Sequence, residues 1–235
     1  MIDRKSAQPV WKSHEKTSAE KEAWLRPFEK DENLQMMDEE ALERARRYTE
    51  ELCREDNVFA LRLKGYACYG GNRLYECDWT AAQDCMLRLR ELADDAEYAN
   101  TLGYIYYYGR CNGGEPEYEK AFPQFSYAAA NGLFEAIYTL GDMYSHGYGC
   151  RKSEETAQNL YHMVYDETKK IFLQGFDGSF ADAALRMGKV FEYGIGIEAN
   201  PAAAYCLYLE ADYAAKIRAK HSDFFGDHSV AKRTG

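Results

Sequence analysis

The apolar positions of this chain fall in short helical stripes, and glycine punctuates them at a regular interval. A glycine is followed by a second six residues later in four places: Gly65/Gly71, Gly103/Gly109, Gly141/Gly147 and Gly188/Gly194. The first members stand 38, 38 and 47 residues apart. Other positions keep the same register. Ala60, Tyr98, Ala136 and Ala183 lie five residues before the first glycine, and Cys68, Tyr106, Tyr144 and Phe191 lie three after it. A second block pairs Ala82 with Met86, Ala121 with Phe125, Ala157 with Tyr161 and Ala204 with Tyr208. A small residue followed by a large one at i+4 marks one face of a helix. Each copy therefore reads as a first helix, a glycine loop and a second helix.

A glycine inside a helix costs about 1 kcal/mol against alanine, so the first glycine needs a reason. Close approach of the neighbouring helix supplies one. The second glycine stands where the first helix should stop, and the left-handed conformation it accepts explains Gly109, Gly147 and Gly194 without a ligand. Asp78, Ser153 and Asn200 (before Pro201) read as N-caps of second helices. Pro123 falls inside the second helix of the second copy, where it predicts a kink or a late start. The nine extra residues before the fourth copy predict about two more turns of second helix and a loop over 175–178.

Upstream, Asp38 reads as the cap of an amphipathic helix whose stripe is Ala41, Leu42, Ala45, Tyr48, Thr49 and Leu52. A shorter helix is expected around Trp24, ended by Pro27 before Phe28. Residues 1–17 read as a polar, mobile segment. The resulting division is 1–56 for a polar segment and capping helix, 57–221 for the repeats, and 222–235 for a tail.

The run AIYTLGDMYSHGYG, 136–149, with LGYIYYYG at 102–109 and AALRMGKVFEYGIG at 183–196, resembles the Sel1-like repeat family. YAAANGLFEA, 127–136, resembles that family's junction between repeats. The resemblance covers roughly residues 57–215. It implies an all-α protein, a right-handed α/α superhelix (solenoid) of about four Sel1-like helix-turn-helix repeats with an N-terminal helical cap. It also implies an adaptor or scaffold that holds protein segments on a concave face. A tetratricopeptide array is excluded by its 34-residue period.

Composition refines this picture. The net charge of −10 repels phosphates and offers no basic stripe, which argues against nucleic acid as a partner. A basic protein or peptide is what such a surface would steer. No apolar run reaches the roughly 20 residues of a membrane span, and the first residues lack the apolar core of a leader. A cytoplasmic protein is expected, though a leader already removed would leave no trace. The seven cysteines have irregular spacings and no CxxC, which suits reduced thiols. They do not recur in register, unlike those of the cysteine-rich secreted members of the family.

Candidate chemistry is sparse. His146, Cys150 and His162 lack a fourth zinc ligand at a recognisable spacing. His221, Asp223, Asp227 and His228 cluster by composition in the tail. Gly147-Tyr148-Gly149 and Gly194-Ile195-Gly196 follow a helix, not the strand that a phosphate-binding fingerprint requires. No Cys–His pair is positioned by the pattern. Ser-x-x-Lys occurs at Ser13/Lys16, Ser18/Lys21 and Ser229/Lys232 without Ser-Asp-Asn or Lys-Thr-Gly, so it does not support the β-lactamase-like activity attached to cysteine-rich relatives. The reading is therefore a protein–protein interaction scaffold with no catalysis, no cofactor and no metal. Its alternatives are that small hydrolase activity, or self-assembly by packing the N-terminal segment into a neighbour's groove. In YIYYYG, Ile105 and Tyr108 are expected to share one face and Tyr104 and Tyr107 another. The groove candidates are Tyr69, Tyr104, Tyr107, Asp142, Tyr144 and Glu192, chosen because aromatic and charged side chains anchor peptides.

Overall fold

The computed structural model describes residues 16–175 and 179–224, with side chains as far as residue 220. Regular structure among these residues is helical throughout. The helices are α1 (Ser18–Leu25), α2 (Asp31–Met36), α3 (Glu39–Arg54), α4 (Val58–Gly70), α5 (Trp79–Leu92), α6 (Ala96–Tyr107), α7 (Tyr118–Ala130), α8 (Phe134–His146), α9 (Glu154–Leu173), α10 (Phe180–Tyr193) and α11 (Pro201–Phe224). A 3-10 turn, Arg26–Glu29, follows α1. The chain forms two compact units, divided between Leu92 and Ala93.

In the first unit α1 packs on α3, α3 on α4 and α4 on α5. Thr17 and Glu20 close a capping box at the start of α1, and Pro27 turns its end into the 3-10 segment, as expected. Asp38 caps α3, accepting from the Ala41 amide at 2.8 Å. Leu42, Ala45, Thr49 and Leu52 of its stripe are buried, with Ala41 and Tyr48 packed at the edge. Leu25, Phe28 and Leu34 are buried against this stripe and Phe59, so the described part of the N-terminal segment is engaged within its own unit. Helix α2 is a feature the hydrophobic pattern does not announce. It has only six residues, and a distant side chain finishes it: Arg73 donates to the carbonyls of Leu34, Gln35 and Met37 at 2.7, 3.1 and 3.0 Å. A cation at a helix C-terminus satisfies carbonyls that have no partner in the helix.

The second unit is three helix pairs, α6/α7, α8/α9 and α10/α11, with α7 packed on α8 and α9 on α10. The glycine of each first helix is a socket. A Cβ on Gly103 would stand 2.7 Å from the Phe125 ring, on Gly141 2.5 Å from Tyr161, and on Gly188 2.4 Å from Tyr208. In α4 the same socket receives Met86. The large residue of each small–large pair in the second helix therefore sits on the first helix of its own repeat. Ser153 and Asn200 cap α9 and α11, and Asp78 serves α5 in the first unit.

One expectation changes and one holds. Helix α7 starts at Tyr118 and runs through Pro123, so the start is not delayed. Pro123 is exposed, and it leaves the Glu119 carbonyl without its helical donor. Helix α9 carries the extra residues as 20 residues of helix against 13 in α7. The loop expected over 175–178 lies mostly outside the described residues, as do Ser13, Asp227, His228, Ser229 and Lys232, while His221 and Asp223 fall in the last turn of α11, beyond the described side chains.

Candidate functional site

The loop that ends α8 carries the histidine, cysteine and paired glycines that most resemble a ligand site. Its geometry is that of a helix end. Gly147 is left-handed at φ 78° and its amide donates to the Met143 carbonyl at 2.8 Å. Gly149 lies so close to the start of α7 that a Cβ there would stand 2.2 Å from the Tyr118 carbonyl oxygen. His146 Nδ1–H donates to the Asp142 carbonyl at 2.8 Å, and its ring stacks on Tyr148, which stacks on Tyr118 at 4.1 Å. Cys150 Sγ lies 3.6 Å from the Met143 carbonyl. These residues hold the joint between α7 and α8. His162 lies on the outer side of α9 beside Asp166. Among the described residues no three His, Cys, Asp or Glu side chains stand grouped as metal ligands. All seven cysteines are thiols, and burial pushes Cys53 up to about 12 and Cys68 and Cys85 up to about 11. Ser18 donates to Glu55 at 2.5 Å and Lys21 pairs with Glu51 at 2.9 Å, so neither serves the other as nucleophile and base.

A polar face runs across the first helices of the second unit, and the register builds it. The residue one after each socket glycine reaches the residue two before the socket glycine of the next repeat. Tyr104 on α6 thus meets Thr139 on α8 at 3.1 Å, and Asp142 on α8 meets Arg186 on α10 at 2.9 Å. Arg186 Nε also donates to Asp142, and its guanidinium lies 3.9 Å from the centre of the Tyr138 ring. Tyr161, passing over the Gly141 socket, donates its hydroxyl to Asp142 at 2.7 Å. Burial works against the charge of Arg186, but the Asp142 carboxylate outweighs it and holds the group above its ordinary value. Burial, then Asp142, pushes the Tyr161 phenol up.

One repeat earlier the chemistry differs. Glu135 accepts from the Tyr104 hydroxyl at 3.0 Å and from the Asn100 amide at 3.3 Å. Asn100 is 5% exposed and its side-chain oxygen has no hydrogen-bond partner. Glu97 stands at the rim, and burial, with Asp95 and Glu135 nearby, holds its carboxyl above the ordinary value.

The six groove candidates are dispersed. Tyr69 belongs to the first unit and meets Trp79 edge-on at 5.2 Å. Tyr104 and Asp142 lie in the polar network just described. Tyr107 sits in a ring cluster with Tyr118, Phe125 and Tyr148. Tyr144 packs edge-on against Phe122 at 5.5 Å, and exposed Glu192 accepts from the Tyr208 hydroxyl. The pairing of Ile105 with Tyr108 fails: Ile105 is buried, whereas Tyr108 caps α6, is half exposed and stacks on Tyr104.

Comparison with solved structures identifies the architecture. A Sel1 repeat protein from Oxalobacter formigenes matches with a TM-score of 0.63 at 17% identity, over 87% of this chain and 76% of its own. A protective antigen of uropathogenic Escherichia coli with an SLR fold, the Sel1-like repeat fold, matches with a TM-score of 0.58 at 20% identity. The fold is that of the Sel1-like repeat proteins. The match to the E. coli antigen covers 77% of this chain and only 37% of that one. No family model matches the chain, and neither does any curated protein. Among the described residues no helix is long and apolar enough to cross a membrane.

Within this Sel1-like frame, sequence reasoning missed Asn100, Glu135, Tyr138, Thr139 and Arg186. A signal existed for part of the set. An acid stands six residues before the socket glycine in three copies, as Glu97, Glu135 and Asp182.

Proposed function

We propose that the chain is a protein-interaction adaptor without catalysis of its own, and that its partner sits on the face of α6, α8 and α10. The Sel1-like fold supports this reading, because stacked helix pairs bury a common core and leave a long side-chain face for contact. The observation that carries it is the chemistry of that face. Half-buried tyrosines and carboxylates stand side by side there, and aromatic groups beside polar ones are what protein partners use as anchors. The acidic balance of the chain favours a basic partner by long-range steering. A reducing compartment such as the cytoplasm suits its thiols.

Site-specific photo-cross-linking tests the reading. A benzophenone side chain placed at Glu97 or Lys189 should capture a defined protein from native cells, and one at Met163 on the outer side of α9 should not. Capture confined to Met163, or none from any position, overturns the choice of face. Turnover of nitrocefin or of a panel of esters by the purified protein overturns the absence of catalysis.

A further inference from the structure

Four carboxylates line the polar face of the second unit: Glu97, Glu135, Asp142 and Asp182. The chain supplies arginines to two of them. Arg186 holds Asp142 at 2.9 Å, and Arg218 holds Asp182 at 2.9 Å. Glu97 and Glu135 receive no cation from the described residues. The register explains why. Two residues before the socket glycine, α10 has Arg186 and α8 has Thr139. Between α8 and α10 a guanidinium therefore lies over an aromatic ring and beside a carboxylate. Between α6 and α8 the matching place holds no cation: it has the Glu135 carboxylate, the Glu97 carboxylate at the rim and buried Asn100, whose side-chain oxygen has no partner.

The Asn100 amide is oriented by chemistry. Its NH2 faces the Glu135 carboxylate, since the reverse orientation would set two acceptors against each other. A buried acceptor with no donor is costly, and an amide beside a carboxylate is answered best by a charged donor. A guanidinium has five N–H groups in a planar fork and no acceptor, which fits a place with two carboxylates and an unanswered amide oxygen.

We propose that the α6–α8 interval, built by Glu97, Asn100, Tyr104 and Glu135, is a binding site for an arginine side chain of a protein partner. That arginine takes the role that Arg186 takes one repeat later. The site rests on the adaptor reading and adds to it which side chain the partner brings.

The test titrates the full chain with a blocked Gly-Ser peptide carrying one arginine, and with its citrulline twin, which is isosteric and neutral. The readout is the NMR signal of the Asn100 side-chain amide. The arginine peptide should shift that signal along a saturating curve, and the citrulline peptide should bind about tenfold or more weakly. Glu97→Gln and Glu135→Gln should each weaken the arginine peptide about fivefold. Asp182→Asn removes the same charge from the same face, where Arg218 already answers it, and should leave affinity within about twofold. Glu97→Gln should keep the melting temperature of the parent or raise it, which separates lost binding from lost folding. The site is overturned if the Asn100 signal does not shift, if citrulline binds equally, or if Asp182→Asn weakens binding as much as Glu135→Gln does. Cross-linking of a partner to Glu97 or Lys189, with no effect of Glu135→Gln on its affinity, would remove the arginine site and leave the adaptor reading standing.

Discussion

At single residues the sockets of the first helices set two effects against each other. Alanine is a better helix former than glycine by about 1 kcal/mol. At Gly141 that gain meets a ring: the added Cβ would stand 2.5 Å from Tyr161, and Tyr161 is held by its bond to Asp142. Overpacking a filled core costs about 1–3 kcal/mol, so the clash wins. Gly141→Ala is expected to lower the melting temperature and Gly103→Ala to do the same. Gly70 is also helical but has nothing within 4 Å of its added Cβ. Gly70→Ala should be neutral or stabilising by up to about 1 kcal/mol, because there only chain entropy and propensity act. Thermal melts of the three variants check the contrast in sign. If Gly70→Ala and Gly141→Ala shift alike, the sockets are not filled as described. These glycines were legible in the chain because the requirement is local and repeats. Arg186 was not, because its meaning depends on Asp142, a partner 44 residues away that no spacing rule connects to it.

Helix α7 shows what the same reasoning misses at the level of an element. Proline in a helix interior removes a hydrogen bond, and the pattern alone reads Pro123 as a late start or a kink. Tertiary packing overrides the late start. Ala121, Phe125 and Ala128 are fully buried, and Phe125 fills the Gly103 socket, so the first turn is recruited to bring these residues into line. The helix then carries a defect on its exposed side. Pro123→Ala should restore an amide donor to the Glu119 carbonyl without touching the core. The expected gain is about 2 kcal/mol, being the helix penalty of proline less the entropy that alanine returns to the unfolded chain. Denaturant unfolding measures it, and a loss of stability would mean that the ring of Pro123 makes a contact worth more than the missing hydrogen bond. Helix α2 escaped the pattern for the opposite reason. Six residues cannot hold a helix alone, and Arg73, 36 to 39 residues away, completes it.

For the whole molecule, a repeat architecture ties stability to neighbours and not to the chain as a unit. Each pair in the second unit packs within itself and on the next, as α7 does on α8 and α9 on α10. The core around Tyr161 joins Ile137, Ala157, Val164, Ala183 and Met187, all from α8, α9 and α10. The core around Leu42 draws on α1 to α4. The two cores share no residue, so a lesion in one acts first on the helices that build it. Gly141→Ala should speed amide exchange about tenfold in α8 and α9, with smaller effects in α7 and α10. The amides of α3 and α4 should keep their rates. Hydrogen exchange followed by mass spectrometry on peptides from both units reads this directly. Equal acceleration in α3 would mean that the two units unfold together, and the nearest-neighbour account would fail. The same locality bears on binding. A face assembled from α6, α8 and α10 is stiffened by the Asp142–Arg186 bridge at one interval and by Tyr104 and Glu135 at the other. A partner that brings its own cation to the second interval would tighten the joint between α6 and α8. Protection gained on binding should therefore concentrate in those two helices.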